Sequence, residues 1–129
     1  MKKIFVIGSN SFSAGSFIKL LLLKNYKVYG ISRSKLNPHY LSAFNLNHRN
    51  FTFKRYDLNK DNKNIINFIK KINPDNLVNF ASQSMVGESW ENPLHWYKTN
   101  SFSTIELFYK ISNLKKKPKI IQIYTPEMY

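Results

Sequence analysis

The stretch from Met1 to Ser34 constrains this chain more than any other. Lys3-Ile4-Phe5-Val6-Ile7 is a short apolar run with β-branched residues, the composition of a buried parallel strand. It gives way at Gly8-Ser9-Asn10-Ser11-Phe12-Ser13-Ala14-Gly15 to small and turn-forming residues. Phe17, Leu20, Leu21 and Lys24 then follow at helical spacing, and Lys27-Val28-Tyr29-Gly30-Ile31 supplies a second strand. Strand, turn, helix and strand make a βαβ unit. Its first turn offers backbone N–H groups, and the positive end of a helix dipole, to a pyrophosphate.

The glycine spacing in that turn is degenerate. Where G-x-x-G-x-x-G is expected, the chain has Gly8, Ser11 and Ala14, followed by Gly15. Ala14 is a tolerated substitute where helix and strand pack closely, whereas Ser11 puts a side chain where backbone approaches phosphate. The same residues also suit a plain strand–helix turn rich in serine N-caps. The turn alone leaves the ligand open.

Ser32-Arg33-Ser34 closes the second strand. An acidic residue there binds the ribose 2′-hydroxyl of NAD, while arginine accommodates the 2′-phosphate of NADP. Arg33 is the one charged side chain in Gly30–Ser34, which favours NADP, with NAD as the alternative; a solvated arginine at a strand end is the plainer reading.

The chain beyond this unit alternates strands with helices. Lys35–Asn50 is expected to be a loop with at most one helical turn around Tyr40–Phe44. Phe51–Tyr56 forms a third strand that ends at Asp57-Leu58. Asp61 or Asn62 then caps a helix with Ile65, Ile69 and Ile72 on one face, joined by Ile66 and Phe68, and Asn73-Pro74 stops it. Asn76–Ala81 is a fourth strand. Pro93 opens a long helix with Leu94, Tyr97, Ile105, Phe108 and Ile111 inward, and Lys119–Tyr124 is a fifth strand. This pattern predicts one α/β domain over residues 1–129, a Rossmann-like doubly wound parallel sheet of five strands. Right-handed crossovers give the order 3-2-1-4-5, with strand one central.

Charge and composition narrow the partners. The chain carries a formal net charge of +13 and no cysteine, so disulfides and thiolate metal sites are excluded. Its lysines are spread along the sequence, and only Lys115-Lys116-Lys117 and Lys119 form a run, so no nucleic-acid partner is expected. The charge still favours an anionic ligand such as a nucleotide. No apolar run approaches the ~18 residues that span a bilayer, and Ser9–Ser16 interrupt any signal-peptide core. A soluble, cytoplasmic protein without a membrane partner is the expectation. His39, His48 and His95 lack metal-ligand spacing, and neither a G-x-S-x-G elbow nor a Walker lysine is present.

More specific segments follow strands four and five. Asn79-Phe80-Ala81-Ser82-Gln83-Ser84-Met85-Val86-Gly87-Glu88-Ser89-Trp90-Glu91-Asn92-Pro93, Thr99-Asn100-x-x-Ser103-Thr104 and Thr125-Pro126-Glu127-Met128-Tyr129 resemble the corresponding motifs of the extended short-chain dehydrogenase/reductases. The resemblance is closest to nucleotide-sugar 4,6-dehydratases of the GDP-mannose type. It implies that Asp57 and Leu58 flank the adenine and that the turn Gly8–Ser13, with Phe80, Ala81, Ser82 and Gln83, holds the dinucleotide. It further implies that Arg33 belongs to an NADP-using member. The substrate would be a nucleotide sugar, with Thr125 hydrogen-bonding the sugar O4 and Glu127 removing the C5 proton after oxidation at C4. Met85 stands where many members have histidine, His95 where tyrosine is common, and Tyr124 and Ser103 replace a serine and a glycine of the motifs.

The family also carries a Tyr-x-x-x-Lys pair downstream of the Thr125–Tyr129 motif, and a C-terminal substrate domain. The expectation is therefore an N-terminal fragment, cut after the fifth strand and inactive alone, with a non-catalytic nucleotide-binding module or relic as the alternative. Its fifth strand would be a raw edge, which is a template for association, so a homo-oligomer is also expected.

Overall fold

The computed structural model describes residues 1–35 and 48–124. In chain order it contains β1 (Lys3–Ile7), α1 (Phe12–Leu23), β2 (Lys27–Ser32), β3 (Phe51–Arg55), α2 (Asn62–Ile72) and β4 (Asn76–Asn79). There follow α3 (Val86–Glu91), α4 (Pro93–Tyr97), a π-helical segment (Lys98–Phe102), α5 (Ser103–Ser112) and β5 (Lys119–Gln122). The five strands form one sheet in the order β3-β2-β1-β4-β5, and every pairing is parallel. This is the expected topology with β1 at its centre. The expected loop Lys35–Asn50 falls largely outside the described residues, and its helical turn around Tyr40–Phe44 wholly outside them.

Alternation along β1 separates the two layers. Ile4 and Val6 pack with Ala14, Ile18, Leu21 and Leu22 of α1 on one face. Phe5 and Ile7 pack with Ile65 and Ile69 of α2 and with Leu107 and Ile111 of α5 on the other. A central parallel strand has no solvent face, which is why its sequence is an unbroken apolar run.

Several expected details are corrected. The buried side of α1 excludes Leu20, which is half exposed. Asp61 makes no side-chain cap to α2; its carboxylate instead accepts from the Asp57 amide at 2.8 Å. β4 stops at Asn79 rather than Ala81. There the buried Asn79 side chain donates to Gln122 Oε1 at 2.9 Å and accepts from the Ala81 amide at 3.0 Å, turning the chain off the sheet. β3 and β5 likewise end at Arg55 and Gln122, short of the expected limits.

The largest correction concerns the helix expected to run on from Pro93. An additional helix, α3, precedes it, and a π segment interrupts it at Lys98–Phe102. Leu94, Tyr97 and Ile105 point outward, at 86%, 57% and 65% exposure, while Leu107 and Ile111 are buried. The reason is polar satisfaction: Thr99, Asn100 and Ser103 take the inward positions, because each has a hydrogen-bonding partner on the sheet side. Among the described residues, no helix is long and apolar enough to cross a membrane.

Candidate functional site

The carboxyl ends of β1 to β4 enclose a cleft of about 230 Å³. Open parallel sheets bind ligands at this end because the strand-to-helix turns diverge there. Ten of the residues singled out in the sequence line it: Gly8, Asn10, Ser11, Arg33, Asp57, Leu58, Phe80, Ala81, Ser82 and Gln83. A wider groove between the C-terminal ends of α2 and α5, lined partly by Lys70, Lys115 and Lys116, contains none of them.

Gly8 sets the floor. Its φ of +75° suits glycine, and a Cβ there would lie 2.7 Å from the Ala81 nitrogen. The turn is tied to β2, since the Gly8 and Ser9 amides both donate to the Ile31 carbonyl. The Ser11 amide donates to the Gly8 carbonyl, and Ser11 Oγ caps α1 by accepting from the Ala14 amide at 3.2 Å. Those donors are therefore engaged within the protein. Phe12 and Ser13 open α1 with exposed side chains, and first-turn amides have no carbonyl partner inside their own helix. Ser9 is fully buried beneath the turn and does not line the cleft.

Asn10 fastens the turn to the second lip. Its Nδ2 donates to the Ser34 carbonyl and hydroxyl and to the Lys35 carbonyl, at 2.9, 3.2 and 3.2 Å. Its Oδ1 is buried with no hydrogen-bond partner, as is Ser9 Oγ.

Arg33 reaches across the cleft to Gln83. With the amide oriented to satisfy both groups, Gln83 Oε1 accepts from Nη1 and Nη2 of Arg33 at 3.1 and 3.2 Å. Among the described residues, no carboxylate pairs with this guanidinium. Gln83 is in turn clamped by Asn100, which accepts from its amide at 2.7 Å and donates to its carbonyl at 2.9 Å.

The third wall is an Asx turn. Asp57 Oδ1 accepts from the Asn59 amide at 2.8 Å, and Leu58 beside it is buried. Asn59 then bridges to the π segment region, donating to Thr99 Oγ1 at 2.8 Å and accepting from Ser103 Oγ at 2.7 Å. Sequence reasoning left Asn59, Ser32, Ser34, Tyr56 and Thr99 off the site. Thr99 sits in a quoted motif and was findable. Asn59 carried no local signal, because its partners lie 40 and 44 residues away.

Thr125 and Glu127 lie outside the described residues. β5, which leads to them, pairs with β4 and ends beside it, with Asn79 opposite Gln122. His95 Nδ1 stands 4.0 Å from Glu88 Oε1. Among the described residues, no three His, Cys, Asp or Glu side chains gather to hold a metal ion.

Comparison with known proteins decides the family. The model of the GDP-mannose 4,6 dehydratase family matches residues 5–129. The chain belongs to that family. It is 29% identical over 138 residues to the GDP-mannose 4,6-dehydratase of Yersinia enterocolitica, covering all of this chain and 37% of that protein. It is 31% identical to the UDP-glucose 4-epimerase of Mycoplasma pneumoniae, over 88% of this chain and 33% of that one. The chain thus spans little more than a third of the relatives it matches.

Solved structures agree on the architecture. The UDP-glucose 4-epimerase of Bifidobacterium longum, in complex with NAD⁺ and UDP, superposes with a TM-score of 0.81 at 27% identity, over 99% of this chain and 38% of that one. The dTDP-glucose 4,6-dehydratase of Bacillus anthracis, in complex with NAD, gives 0.79 at 20% identity, over 97% and 38%, and supports the fold. The GDP-mannose dehydratase family assignment and the epimerase-like fold thus rest on independent comparisons of sequence and structure.

Proposed function

We propose that this chain is the dinucleotide-holding portion of a nucleotide-sugar 4,6-dehydratase or 4-epimerase, with NADP preferred over NAD. The observation that carries the reading is the cleft at the carboxyl ends of β1 to β4, where the Gly8 turn, packed backbone to backbone on Ala81, faces Arg33, Asp57 and Gln83 across one cavity. Two further features fit the group. The buried Asn10 Oδ1 is an unused acceptor beside the turn, and Arg33 is a cation with a neutral partner. In this reading the first-turn amides of α1 hold the pyrophosphate above the floor that Gly8 sets. Asp57 and Leu58 flank the adenine, and Phe80, Ala81, Ser82 and Gln83 form the opposite wall.

A bound nicotinamide dinucleotide supplies reversible hydride acceptance. The chain's own part in the chemistry falls to Thr125 and Glu127, placed by sequence just past β5. Thr125 hydrogen-bonds the sugar O4 as charge develops on it. Glu127 removes the C5 proton, a task that suits a carboxyl with its pKa lifted toward neutrality. The substrate class is a nucleoside diphosphate sugar, and nucleic acid and membrane stay outside the reading.

Titration calorimetry of the wild type and Arg33→Ala with both dinucleotides tests this. NADP is expected to bind the wild type about ten- to a hundredfold tighter than NAD, the value of a charge-assisted arginine–phosphate contact. Arg33→Ala is expected to erase that difference. Equal affinities in both proteins would remove Arg33 from the reading.

The same reading includes association between copies. Leu94, Tyr97, Phe102, Ile105 and Tyr109 are each more than half exposed along α4, the π segment and α5, an apolar surface of the kind that proteins cover with a partner. Sedimentation velocity is expected to show a species larger than the monomer; a monomer at every concentration would remove this part.

A further inference from the structure

A second arginine, Arg55, stands beside Arg33 just outside the residues that line the cleft, and the family motifs quoted above do not account for it. The β2–β3 register pairs Ser32 with Arg55, so Arg55 leaves the end of β3 beside the residue that precedes Arg33. Its Nε donates to the Arg33 carbonyl at 2.9 Å. That bond anchors the side chain on the Arg33 backbone and leaves the two terminal nitrogens without a partner among the described residues. Like Arg33, it meets no carboxylate there. Two guanidinium-bearing residues sit on adjacent strand ends, and among the described residues no carboxylate neutralises either.

We propose that Arg55 is a second specificity-determining cation, acting beside Arg33 on a phosphate monoester carried by the ribose of the bound nucleotide. The proposal rests on reading the cleft as a dinucleotide site and deepens it. Three features support it. The lip is ordered before any ligand arrives, since Asn10 holds the Ser34 and Lys35 carbonyls and Arg55 holds that of Arg33; preorganisation of this kind reduces the entropy lost on binding. Ser34 Oγ accepts from Asn10, which leaves its O–H free to donate outward. Finally, Gln83 offers Arg33 one neutral oxygen across both terminal nitrogens, a weaker partner than a phosphate in the same fork geometry. Arginine is suited to the role because its planar fork meets phosphate at two points while its Nε stays on the backbone.

The plainer role for Arg55 is a tie on one carbonyl, and the test separates the two. Adenosine 2′,5′-bisphosphate and adenosine 5′-monophosphate would be titrated into the wild-type 129-residue chain, Arg55→Ala and Arg55→Lys. The wild type is expected to prefer the bisphosphate. Arg55→Ala should lower that preference about tenfold, the worth of one charge-assisted contact, with affinity for the monophosphate unchanged. Arg55→Lys should restore part of it, since charge returns without the fork. A structural tie would weaken both ligands equally, and an unchanged ratio in Arg55→Ala, or an equal loss for both ligands, overturns the proposal while leaving the dinucleotide reading intact. Failure of the wild type to bind either nucleotide overturns the dinucleotide reading and this proposal with it.

Discussion

Gly8 and Ala81 belong to turns more than seventy residues apart, yet they meet backbone to backbone. A Cβ on Gly8 would lie 2.7 Å from the Ala81 nitrogen and 2.9 Å from the Phe80 carbonyl carbon. Neither neighbour can swing away as a side-chain tip could. Gly8→Ala would also impose a φ of +75° on a residue with a side chain, a cost of about 1–3 kcal/mol before any displacement of backbone. The expected outcome in urea unfolding is a loss of roughly 3 kcal/mol, a large share of the 5–15 kcal/mol that holds a domain together. A loss below about 1 kcal/mol would mean that the two turns are free to separate.

The Asn100 clamp on Gln83 gives a local prediction. Asn100→Ala removes both hydrogen bonds to the Gln83 backbone and leaves a half-buried amide and carbonyl to find water. The expected cost is about 1–3 kcal/mol. Amide exchange at Gln83 should quicken, while exchange at Phe5 and Val6 in the central strand follows only the global change. Unaltered exchange at Gln83 would show that the loop is held by something other than Asn100.

Asp75 gives a pH dependence at the opposite end of the sheet. Its Oδ2 accepts from the Lys3 amide at 2.8 Å, while its own amide donates to the Lys3 carbonyl at 2.9 Å. The Lys3 hydrogen bond holds its carboxyl below the usual carboxylate range, helped by the nearby charges of Lys116, Lys2 and Lys3. A depressed folded pKa means that the unfolded chain binds the proton first as pH falls. The stabilisation is therefore present above the ordinary aspartate pKa of about 3.9 and is lost as pH drops through the lower folded value. Asp75→Asn keeps an acceptor for Lys3 but not the charge. Melting curves of the two proteins should differ most near neutrality and converge as pH falls through the lowered folded value, with the gap narrowing in high salt. A gap independent of pH would assign the effect to packing.

Residue pattern alone determined the architecture and one half of the cleft. The unbroken apolar run Ile4–Ile7 could only be a strand buried on both faces, and its alternation with helical segments led through right-handed crossovers to the observed strand order. Gly8 at the strand end and Arg33 at the next were legible because their reasons are local: a turn that needs positive φ, and a charge at a strand terminus. What only the tertiary structure decided was the pairing of side chains across elements. Hydrophobic periodicity put Leu94, Tyr97 and Ile105 inward, but the inward face at the cleft end is polar, because Asn59 and Gln83 stand opposite to satisfy Thr99, Ser103 and Asn100. Such partners lie 17 to 44 residues apart, and their meeting depends on how far each strand extends before it turns. Local propensity therefore set the elements, whereas the register between them chose which polar groups face the cleft and placed Gln83 opposite Arg33.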